Sequence, residues 1–430
     1  MELKLEELQP GTPVEIPQEF RQEAGQAVFG LYKGFYGSYI NNGSGQPLID
    51  ALFPAGLEER VFHYTAVASK WKTVEGPQAK SIMEVAREKY RKNLHTLPRL
   101  GMVTGGDPEI FLVHGDGSLF HAWEFLPKKS PDKQIYWDGA QAEFNPLARA
   151  CLIEYMGQLR TQLYNLLGMA RKVDSKATLS LQNVMKLSPK VLKETADEFL
   201  LFGCSPSENV YKDFGAPLDP KTYPFRACGG HIHSGLNGVW DPKQAPDAVM
   251  ACDAITGIAG VALAEDIDDP ERRRTYGKAG EYRLPKHGLE YRVLSNFWLC
   301  HPAIMHLVHE MHRQAIRIGN SGLFQILWDT PMDEVRQVIN TCDVKGARKI
   351  IKHNQVLFQQ VLWNGNFTNK DLAAKAGLRA LGRGILGTLK KPYDIEGNWE
   401  LPGYAQSIPW QNGDNTWSNF IQKHARSVGA

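Results

Sequence analysis

Three short stretches of the sequence place two chemically active side chains two residues apart. They are Asp107-Pro108-Glu109, His231-Ile232-His233 and Glu290-Tyr291-Arg292, and each lies close to glycine and to an apolar segment. In a β-strand, residues i and i+2 point to the same face, so each pair would project together while its middle residue faces the other way. The spacing therefore predicts a polar face that carries carboxylates, imidazoles and a guanidinium.

A divalent cation would stabilise such a face. Buried charges are costly unless they are paired or coordinate a metal, and two adjacent carboxylates tend to share a proton when no cation is near. Mg²⁺ prefers carboxylate oxygens and substrate phosphates as ligands. Each pair alone is a weak signal, but three pairs on one concave sheet would form a site for Mg²⁺ and a polyphosphate. The glycines beside the two histidines would let phosphates approach the backbone.

A further acidic segment, residues 136–143, ends just before a helix cap at Asn145. We expect it to be a strand, with Glu143 as a metal ligand at the mouth of the site. Asp138 lies five residues earlier and would face the other way on a regular strand. It can join Glu143 only if the chain bends at Gly139, so its role stays open.

An arginine-rich segment lies between the histidine pair and the last acid–base pair. Arg272-Arg273-Arg274 precede Glu281-Tyr282-Arg283, and the turn signal at 285–288 separates the latter from Glu290-Tyr291-Arg292. A hairpin would set Arg283 and Arg292 on neighbouring strands, where their planar guanidinium groups suit phosphate and carboxylate. A ladder of surface ion pairs would give the same pattern, so both interpretations stay open.

The elements that must position these residues are strands mixed irregularly with long helices. Apolar residues around a turn at 114–117 predict strands at 110–113 and 118–120, and a turn signal also lies at 41–45. Apolar residues at a period of 3.6 predict helices at 79–94, 146–171, 188–200 and 245–264, and after Pro302, with Ile304, Leu307, Val308 and Met311 on the inner face. With a mostly helical last hundred residues, this order predicts an α+β fold with a largely antiparallel sheet.

The composition limits the classes of function. The chain of 430 residues has 49 basic and 47 acidic side chains and a formal charge of +2, which argues against bulk binding to nucleic acid or membrane. The apolar run 251–264 is too short to span a bilayer, and the first residues carry acids where a secretory signal needs bases. Six widely spaced cysteines without a Cys-x-x-Cys pair indicate a reducing compartment, so we expect a cytoplasmic protein.

Several familiar catalytic motifs are absent from the sequence. It contains no phosphate-binding P-loop motif, no Gly-x-Ser-x-Gly nucleophile elbow, and no cysteine that stands out as a nucleophile. His306, His309 and His312 lie three residues apart on one predicted helix, but the His-Glu-x-x-His pattern is absent. We therefore expect these three histidines to be structural.

Whole motifs of the chain resemble a known superfamily. GGDPEIF is similar to the GPEPEFF strand of glutamine synthetases, GGHIHSGL to their GMHxHxSL, and LEYRVLSNFW to their IEVRxPD segment. With DGAQAEFNP, FGCSPSENVY and the arginine-rich block, these stretches resemble more closely the phage-type carboxylate–amine ligases (amidoligases) of the glutamine synthetase and glutamate–cysteine ligase superfamily. The resemblance covers roughly residues 100–310.

This resemblance implies a fold and a division of the chain. The fold would be a glutamine-synthetase-like curved antiparallel β-sheet flanked by helices. The catalytic domain would span 98–430, with its motifs within 105–298 and a helical part from about 301, while 1–97 would be an N-terminal region of unknown role. The expected location becomes the host cytoplasm if the chain is phage-encoded.

The resemblance also implies an ATP-dependent reaction. ATP would phosphorylate a substrate carboxylate, and an amine would attack the acyl phosphate to give an amide, ADP and phosphate. Two or three Mg²⁺ ions (or Mn²⁺) would take part, one held by Asp107, His231 and Glu290 and another by Glu109 and Glu143. The implied nucleotide contacts are His233, Arg272 and Arg292. The groups implied to neutralise the transferring phosphoryl are Arg283, Arg292, Arg273 and Arg274.

Two other functions stay open. A metal-dependent hydrolase could use His231-x-His233, but amidohydrolases need further histidines downstream, and cupins need a glutamate where Asn237-Gly238 stand here. A non-catalytic nucleotide-binding relative is the second alternative. For the ligase, we expect a small-molecule or peptide carboxylate and an amine as substrates. The sequence identifies neither substrate, nor whether the chain forms a homo-oligomer.

Overall fold

The architecture was analysed in a computed structural model. It describes residues 2–4, 8, 12–20, 29–36, 46–53, 56–61, 70–92, 94, 102–130, 132–202, 207–215, 217–235, 245–321, 324–366 and 370–401. The chain divides into two compact units, Met1–Arg99 with Arg317–Asp329, and Leu100–Ile316 with Thr330–Ala430. The roles expected of residues 1–97 and 98–430 stay predictions.

The first unit contains a six-stranded antiparallel sheet and a long helix. Its strands are β1 (Glu2–Lys4), β2 (Pro13–Glu15), β3 (Phe29–Tyr36), β4 (Gln46–Phe53), β5 (Gly56–Val61) and β6 (Lys70–Thr73), hydrogen-bonded in the order β1-β6-β2-β3-β4-β5. Helix α1 (Gly76–Lys92) confirms the helix predicted near 79–94, and Ile82 and Ala86 are buried on its inner face. The turn predicted at 41–45 lies outside the described residues.

Three antiparallel sheets occupy the described part of the second unit. Its strands are β7 (Val103–Gly106), β8 (Glu109–Val113), β9 (Leu119–Phe120), β10 (Ile135–Asp138), β11 (Gln141–Phe144), β12 (Thr178–Ser180), β13 (Val184–Lys186), β14 (Glu208–Asn209), β15 (Phe225–Ala227), β16 (Ile232–Gly235), β17 (Glu281–Arg283) and β18 (Gly288–Tyr291). The sheet orders are β14-β17-β18-β16-β7, β10-β11-β8-β12 with β9 beside β8, and β13-β15. Because only Asp107-Pro108 separates β7 from β8, this dipeptide joins the two larger sheets.

Two strand predictions have different outcomes. The strand–turn–strand predicted at 110–120 is confirmed by β8 and β9, whose pairing sets Leu112 opposite Phe120. The single strand expected over residues 136–143 is wrong, because β10 and β11 form a hairpin with Asp138 opposite Gln141. Gly139 has a φ of +63° at this tight turn, a conformation that favours glycine. The chain therefore does bend at Gly139.

Helices make up most of the rest of the described chain, and they lie in the second unit except for residues 317–329, which belong to the first. They are α2 (Leu152–Arg171), α3 (Pro189–Glu194), α4 (Asp197–Leu200), α5 (Ala245–Cys252), α6 (Ile258–Ala264), α7 (Arg272–Thr275), α8 (Pro302–Asn320), α9 (Phe324–Leu327), α10 (Met332–Asn340), α11 (Val344–His353), α12 (Gln355–Asn364), α13 (Lys370–Thr388) and α14 (Ile395–Asn398). The π-helical turn Asp253–Gly257 joins α5 to α6, so the helix predicted at 245–264 is continuous. The helix expected after Pro302 is α8, and its four predicted inner residues are buried.

Two helix boundaries differ from the prediction. Helix α2 begins at Leu152 rather than at residue 146, because the backbone of Arg149 pairs with that of Thr104 in β7. Each residue donates its N–H to the carbonyl oxygen of the other at 2.8 Å. This pairing keeps the chain extended after Asn145. The helix predicted over 188–200 is two short helices, α3 and α4, since Thr195 adopts an extended conformation between them.

The helical run Ala245–Ile267 forms part of the core of the second unit. By length and composition alone it could cross a membrane, but 89% of its most apolar window is buried inside the protein. Such burial is typical of a core helix. The fold class is thus mixed α+β with antiparallel sheets and a helical C-terminal part, as predicted. The closer assignment to a glutamine-synthetase-like fold stays a prediction.

Candidate functional site

The central strands of the larger sheet bring the first polar residues together. In the antiparallel register, His233 of β16 stands opposite Glu290 of β18 and opposite Gly105 of β7. Asp107 follows β7 directly, and side chains of directly opposed residues are near neighbours on one face. The local sequence therefore folds so that an aspartate, a histidine and a glutamate from three chain segments meet.

These three residues form the first ligand group, which consists of Asp107, His233 and Glu290. Each offers one ligand atom, and the three atoms lie within 4.8 Å of one another. His233 Nε2 is 3.2 Å from Asp107 Oδ1 and 3.7 Å from Glu290 Oε2. The sequence-based set contained His231 in place of His233. His231 lies beside the group instead, with its Nδ1 3.2 Å from Asp107 Oδ1.

The two imidazoles differ in proton affinity. Burial lowers the pKa of His231 to about 4, so this ring is neutral at pH 7. Burial acts in the same direction on His233, but the carboxylates of Asp107 and Glu290 outweigh it and raise the pKa above the usual value. Burial alone would raise the pKa of Asp107, yet the two histidines hold it well below its usual range. The ionised Asp107 therefore faces two rings of unequal proton affinity, of which His233 holds its proton more tightly.

The second ligand group consists of Glu109, Asp138 and Glu143. Their ligand atoms also lie within 4.8 Å of one another. Glu109 of β8 stands opposite Glu143 of β11, and the hairpin at Gly139 carries Asp138 back to the same place. The structure thus brings together the predicted pair Glu109 and Glu143 and adds Asp138.

The second group is short of positive charge. Burial, followed by repulsion from Asp138, raises the pKa of Glu109 to about 8. Burial, followed by repulsion from Asp107 and Asp138, raises the pKa of Glu143 well above its usual range. Burial likewise raises the pKa of Asp138. Three carboxyls in this state either take up protons or bind a cation.

Hydrogen bonds from two tyrosines and a lysine fix the orientation of the carboxyls in the second group. The sequence did not indicate that these three residues belong to the site. The hydroxyl of Tyr276 donates to Glu109 Oε2 at 2.6 Å, and the hydroxyl of Tyr136 donates to Glu143 Oε1 at 2.6 Å. Lys129 Nζ donates to the same Glu143 oxygen at 2.9 Å. Lys129 belongs to a run of charged loop residues without periodicity, and neither tyrosine belonged to an i, i+2 pair, so no local signal distinguished them.

The glycines beside the histidines have a packing role, while the phosphate approach expected of them stays a prediction. The backbone N–H of Gly229 donates to Glu109 Oε2 at 2.5 Å. A Cβ added at Gly230 would collide with the carbonyl oxygen of Ser295. Both glycines therefore allow close contact with protein atoms, and the Gly229 N–H is already used by Glu109.

Two of the predicted arginines lie at the first ligand group. Arg283 stands opposite Glu290 in the hairpin, and its Nε and Nη2 donate to Glu290 Oε1 at 3.0 and 2.5 Å. Arg292 Nε is 3.2 Å from the same oxygen, and its Nη1 donates to Ser207 Oγ at 2.7 Å. The predicted hairpin is confirmed, and both guanidinium groups converge on one carboxylate.

The other three predicted arginines do not join either ligand group. The guanidinium of Arg272 donates to the backbone carbonyls of Cys228, Arg292, Val293 and Leu294. Arg273 donates to Asp268 Oδ2 at 2.8 Å and to the Val293 carbonyl at 2.7 Å. Arg274 is 59% exposed and pairs with Glu271. The first two are engaged in structural bonds and the third lies at the surface, so the structure does not bring these three arginines to either ligand group, and the nucleotide and phosphoryl roles implied for them stay predictions.

The three histidines of α8 are buried and take part in packing. His309 Nδ1 bonds to the carbonyl oxygen of Met305 at 2.8 Å. His312 Nε2 lies 3.0 Å from Ser234 Oγ, next to His233 on β16. Burial lowers the pKa of His309 and of His312 to about 3, so both rings are neutral. These contacts fit the structural role expected for them.

Both ligand groups have the donor chemistry that a hard divalent cation requires. Five of their six ligands are carboxylates, and the sixth is an imidazole. Mg²⁺ and Mn²⁺ take such oxygen-rich sets. Burial and repulsion between the carboxylates raise the pKa of Glu109 and of Glu143, and a divalent cation at this group would offset both effects.

Comparisons with known proteins gave one family. The family described as "Phage phiEco32-like COOH.NH2 ligase-type 2" matches residues 218–320, about a quarter of the chain. The match confirms the resemblance to phage-type carboxylate–amine ligases over this segment, which includes His231, His233, Arg283, Glu290 and Arg292. No curated protein and no solved structure matched the chain. The family name supports an enzyme that joins a carboxylate to an amine.

Proposed function

We propose that the protein is an ATP-dependent carboxylate–amine ligase that forms an amide through an acyl phosphate. The observation that carries this proposal is the pair of neighbouring ligand groups, one of which has two arginines on its glutamate. A polyphosphate needs divalent cations and fixed cationic donors at the same place. The name of the matching family supplies the two substrate classes.

The six ligands would hold two divalent cations. Asp107, His233 and Glu290 would hold one, and Glu109, Asp138 and Glu143 the other. When bound, the cations would supply charge neutralisation for the phosphates. Two neighbouring residues position the ligands: the neutral ring of His231 contacts Asp107, and the Tyr276 hydroxyl orients Glu109.

In the first step, an oxygen of the substrate carboxylate attacks the γ-phosphorus of ATP. The bond from that phosphorus to the β-phosphate oxygen breaks, giving an acyl phosphate and ADP. Arg283 and Arg292 neutralise the charge on the transferring phosphoryl group, because planar guanidinium groups donate in pairs to its oxygens. Their present bonds to Glu290 keep both side chains directed at the first ligand group.

In the second step, the amine nitrogen attacks the acyl carbon. The phosphate leaves with the carbon–oxygen bond electrons, and the nitrogen loses a proton to give the amide. The products are the amide, ADP and phosphate. That proton is taken up by water or by the phosphate that leaves.

Two observations weigh against the alternatives. A hydrolase built on His231-x-His233 would use both rings as ligands, but His231 lies beside the first ligand group and only His233 within it. A non-catalytic relative has no need to keep six metal-type ligands and two converging arginines. The ligase accounts for both features.

The test is trapping of the acyl phosphate. Purified protein, Mg²⁺-ATP, hydroxylamine as surrogate amine and pooled candidate carboxylates should give hydroxamate and ADP. Glu290→Gln should abolish both products, because it removes a ligand and the partner of two arginines. Glu194→Gln is the matched control, since Glu194 lies at the surface and faces Lys190.

The outcomes separate the functions. Hydroxamate and ADP that depend on Glu290 but not on Glu194 would establish the ligase and begin to identify the acid. Binding of Mg²⁺-ATP without hydroxamate from any pool would favour the non-catalytic relative. A protein that does not bind nucleotide at all would contradict the proposal.

A further inference from the structure

Lys129 contacts the second ligand group from a loop between β9 and β10. Its ammonium donates to Glu143 Oε1 at 2.9 Å and lies 4.9 Å from the centre of the Tyr136 ring. The backbone of the loop is held by a bridge between Lys128 and Trp137 and by the bond from Trp137 N to the Pro127 carbonyl at 3.1 Å. A fixed loop therefore presents a flexible cationic side chain to the acids.

The two ends of this ion pair differ in exposure. The side chain of Glu143 is 4% exposed, whereas that of Lys129 is 61% exposed. A lysine has a compact charge on a flexible stem, so its ammonium can leave for water at small cost while the glutamate stays buried. The pair is asymmetric, with a fixed acid and a removable cation.

We propose that Lys129 is an internal competitor for the divalent cation at the second ligand group. Its ammonium bonds to a ligand oxygen of Glu143 in the cation-free protein and withdraws to solvent when the divalent cation binds. This inference rests on the metal-binding part of the proposed function. It assigns Lys129 a role beyond the six ligands.

The charges give the exchange its direction. One ammonium compensates only part of the charge of three clustered carboxylates. A divalent cation compensates more of it and repels the ammonium at the same time. Lys129 therefore stabilises the acids when cations are scarce and raises the cation concentration at which the second group fills.

The experiment is a titration of the full chain with Mn²⁺ in the absence of nucleotide, with free Mn²⁺ followed by electron paramagnetic resonance. Lys129→Met should bind Mn²⁺ at the second group about tenfold more tightly than the wild type, because competition and repulsion both disappear. The matched control is Lys128→Met, whose lysine is also exposed but bonds to Glu198 at 3.1 Å. It should bind Mn²⁺ as the wild type does.

A second pair of variants locates the effect. In a Glu143→Gln background, Lys129→Met should strengthen Mn²⁺ binding much less than in the wild type, because the ammonium no longer has a charged partner that holds it at the group. Unchanged or weaker binding by Lys129→Met overturns the proposal. So does an equal gain in Lys128→Met or in the Glu143→Gln background, or a lack of Mn²⁺ binding by every variant.

This result is independent of the trapping experiment. Tighter Mn²⁺ binding by Lys129→Met would stand even if no carboxylate gave hydroxamate. Hydroxamate formation without any effect of Lys129→Met on Mn²⁺ would leave the ligase in place and remove the competitor.

Discussion

Replacement of Arg272 by methionine should destabilise the protein far more than replacement of its neighbour Arg274. The guanidinium of Arg272 is fully buried and donates four hydrogen bonds of 2.6 to 3.2 Å. The acceptors are the backbone carbonyl oxygens of Cys228 and of residues 292–294. It also lies over the ring of Tyr276, 4.8 Å from its centre. These bonds tie the strand that leads to His231 to the segment that follows Glu290.

The size of the effect follows from these bonds. A hydrogen bond to a charged group contributes about 1.5–3 kcal/mol net, so four give an upper limit near 6–12 kcal/mol. Removal of the guanidinium also removes the cost of burying its charge, and the methionine side chain fills part of the space. We therefore expect a loss of about 3–5 kcal/mol, similar to the loss on breaking a buried ion pair.

The matched control is Arg274→Met. Arg274 is 59% exposed and has one ion pair, to Glu271 at 3.1 Å. Exposed pairs contribute little, so the free energy of unfolding should change by no more than about 0.5 kcal/mol. Urea unfolding followed by tryptophan fluorescence and circular dichroism measures both variants. The reasoning is refuted if Arg272→Met keeps wild-type stability but loses ATP-dependent turnover, because Arg272 would then act on the nucleotide.

Three further predictions concern buried groups near the site. Burial raises the pKa of Asp253 to about 7 despite bonds from two tyrosine hydroxyls, so the native state holds this proton more tightly than the unfolded state. The stability that this group contributes is complete below pH 4 and is lost as the pH rises through 7. In Asp253→Asn, the free energy of unfolding measured in urea should therefore lose about 4 kcal/mol of its pH dependence. The same pH dependence in the variant and the wild type would contradict this prediction. Tyr276→Phe removes a hydrogen bond that favours the ionised form of Glu109, so Mn²⁺ binding should weaken several-fold at pH 7 and recover at pH 9. Equal weakening at the two pH values would show that Tyr276 does not act through the ionisation of Glu109. Gly139→Ala should cost about 1–2 kcal/mol in urea unfolding because of the positive φ, whereas no loss would mean that the turn tolerates a Cβ.

The sequence and its resemblance predicted two of the three residues of the first ligand group, Asp107 and Glu290, but gave His231 where the structure has His233. Alternation along a strand determines which side chains share a face, so Asp107, His233 and Glu290 could be placed together. Alternation does not determine the register, that is, which residue of the neighbouring strand each side chain faces. His231 precedes β16, and the neighbouring strand sets His233 opposite Glu290. The presence of His233 in the group in place of His231 comes from that register.

Other parts of the site depend on contacts distant in sequence. Asp138 reaches Glu143 through one positive φ at Gly139, which the sequence offered as an option but could not decide. Arg272 and Arg273 look like phosphate ligands in sequence, yet their partners are backbone carbonyls and Asp268. Periodicity is a local signal, and the partner of a buried arginine is set by tertiary structure.

The helices show the same difference between what local periodicity predicts and what tertiary contacts decide. The spacing of apolar residues predicts the inner face of α8, and all four of the predicted residues are buried. Helix α2 begins six residues after the predicted start, because pairing of Arg149 with Thr104 overrides the Asn145-Pro146 cap signal. A cap motif predicts a helix only when no neighbouring strand competes for the same backbone groups.

The central claim, that a carboxylate is activated by the γ-phosphate of ATP, can be tested with oxygen isotopes. The acid that gives hydroxamate would be labelled with ¹⁸O in both carboxylate oxygens and converted with Mg²⁺-ATP and hydroxylamine, and the phosphate analysed by mass spectrometry. The account predicts one ¹⁸O atom in each phosphate released, because the oxygen that attacks phosphorus leaves with it. Unlabelled phosphate, or ¹⁸O in AMP, would contradict the acyl phosphate and the mechanism built on the two ligand groups.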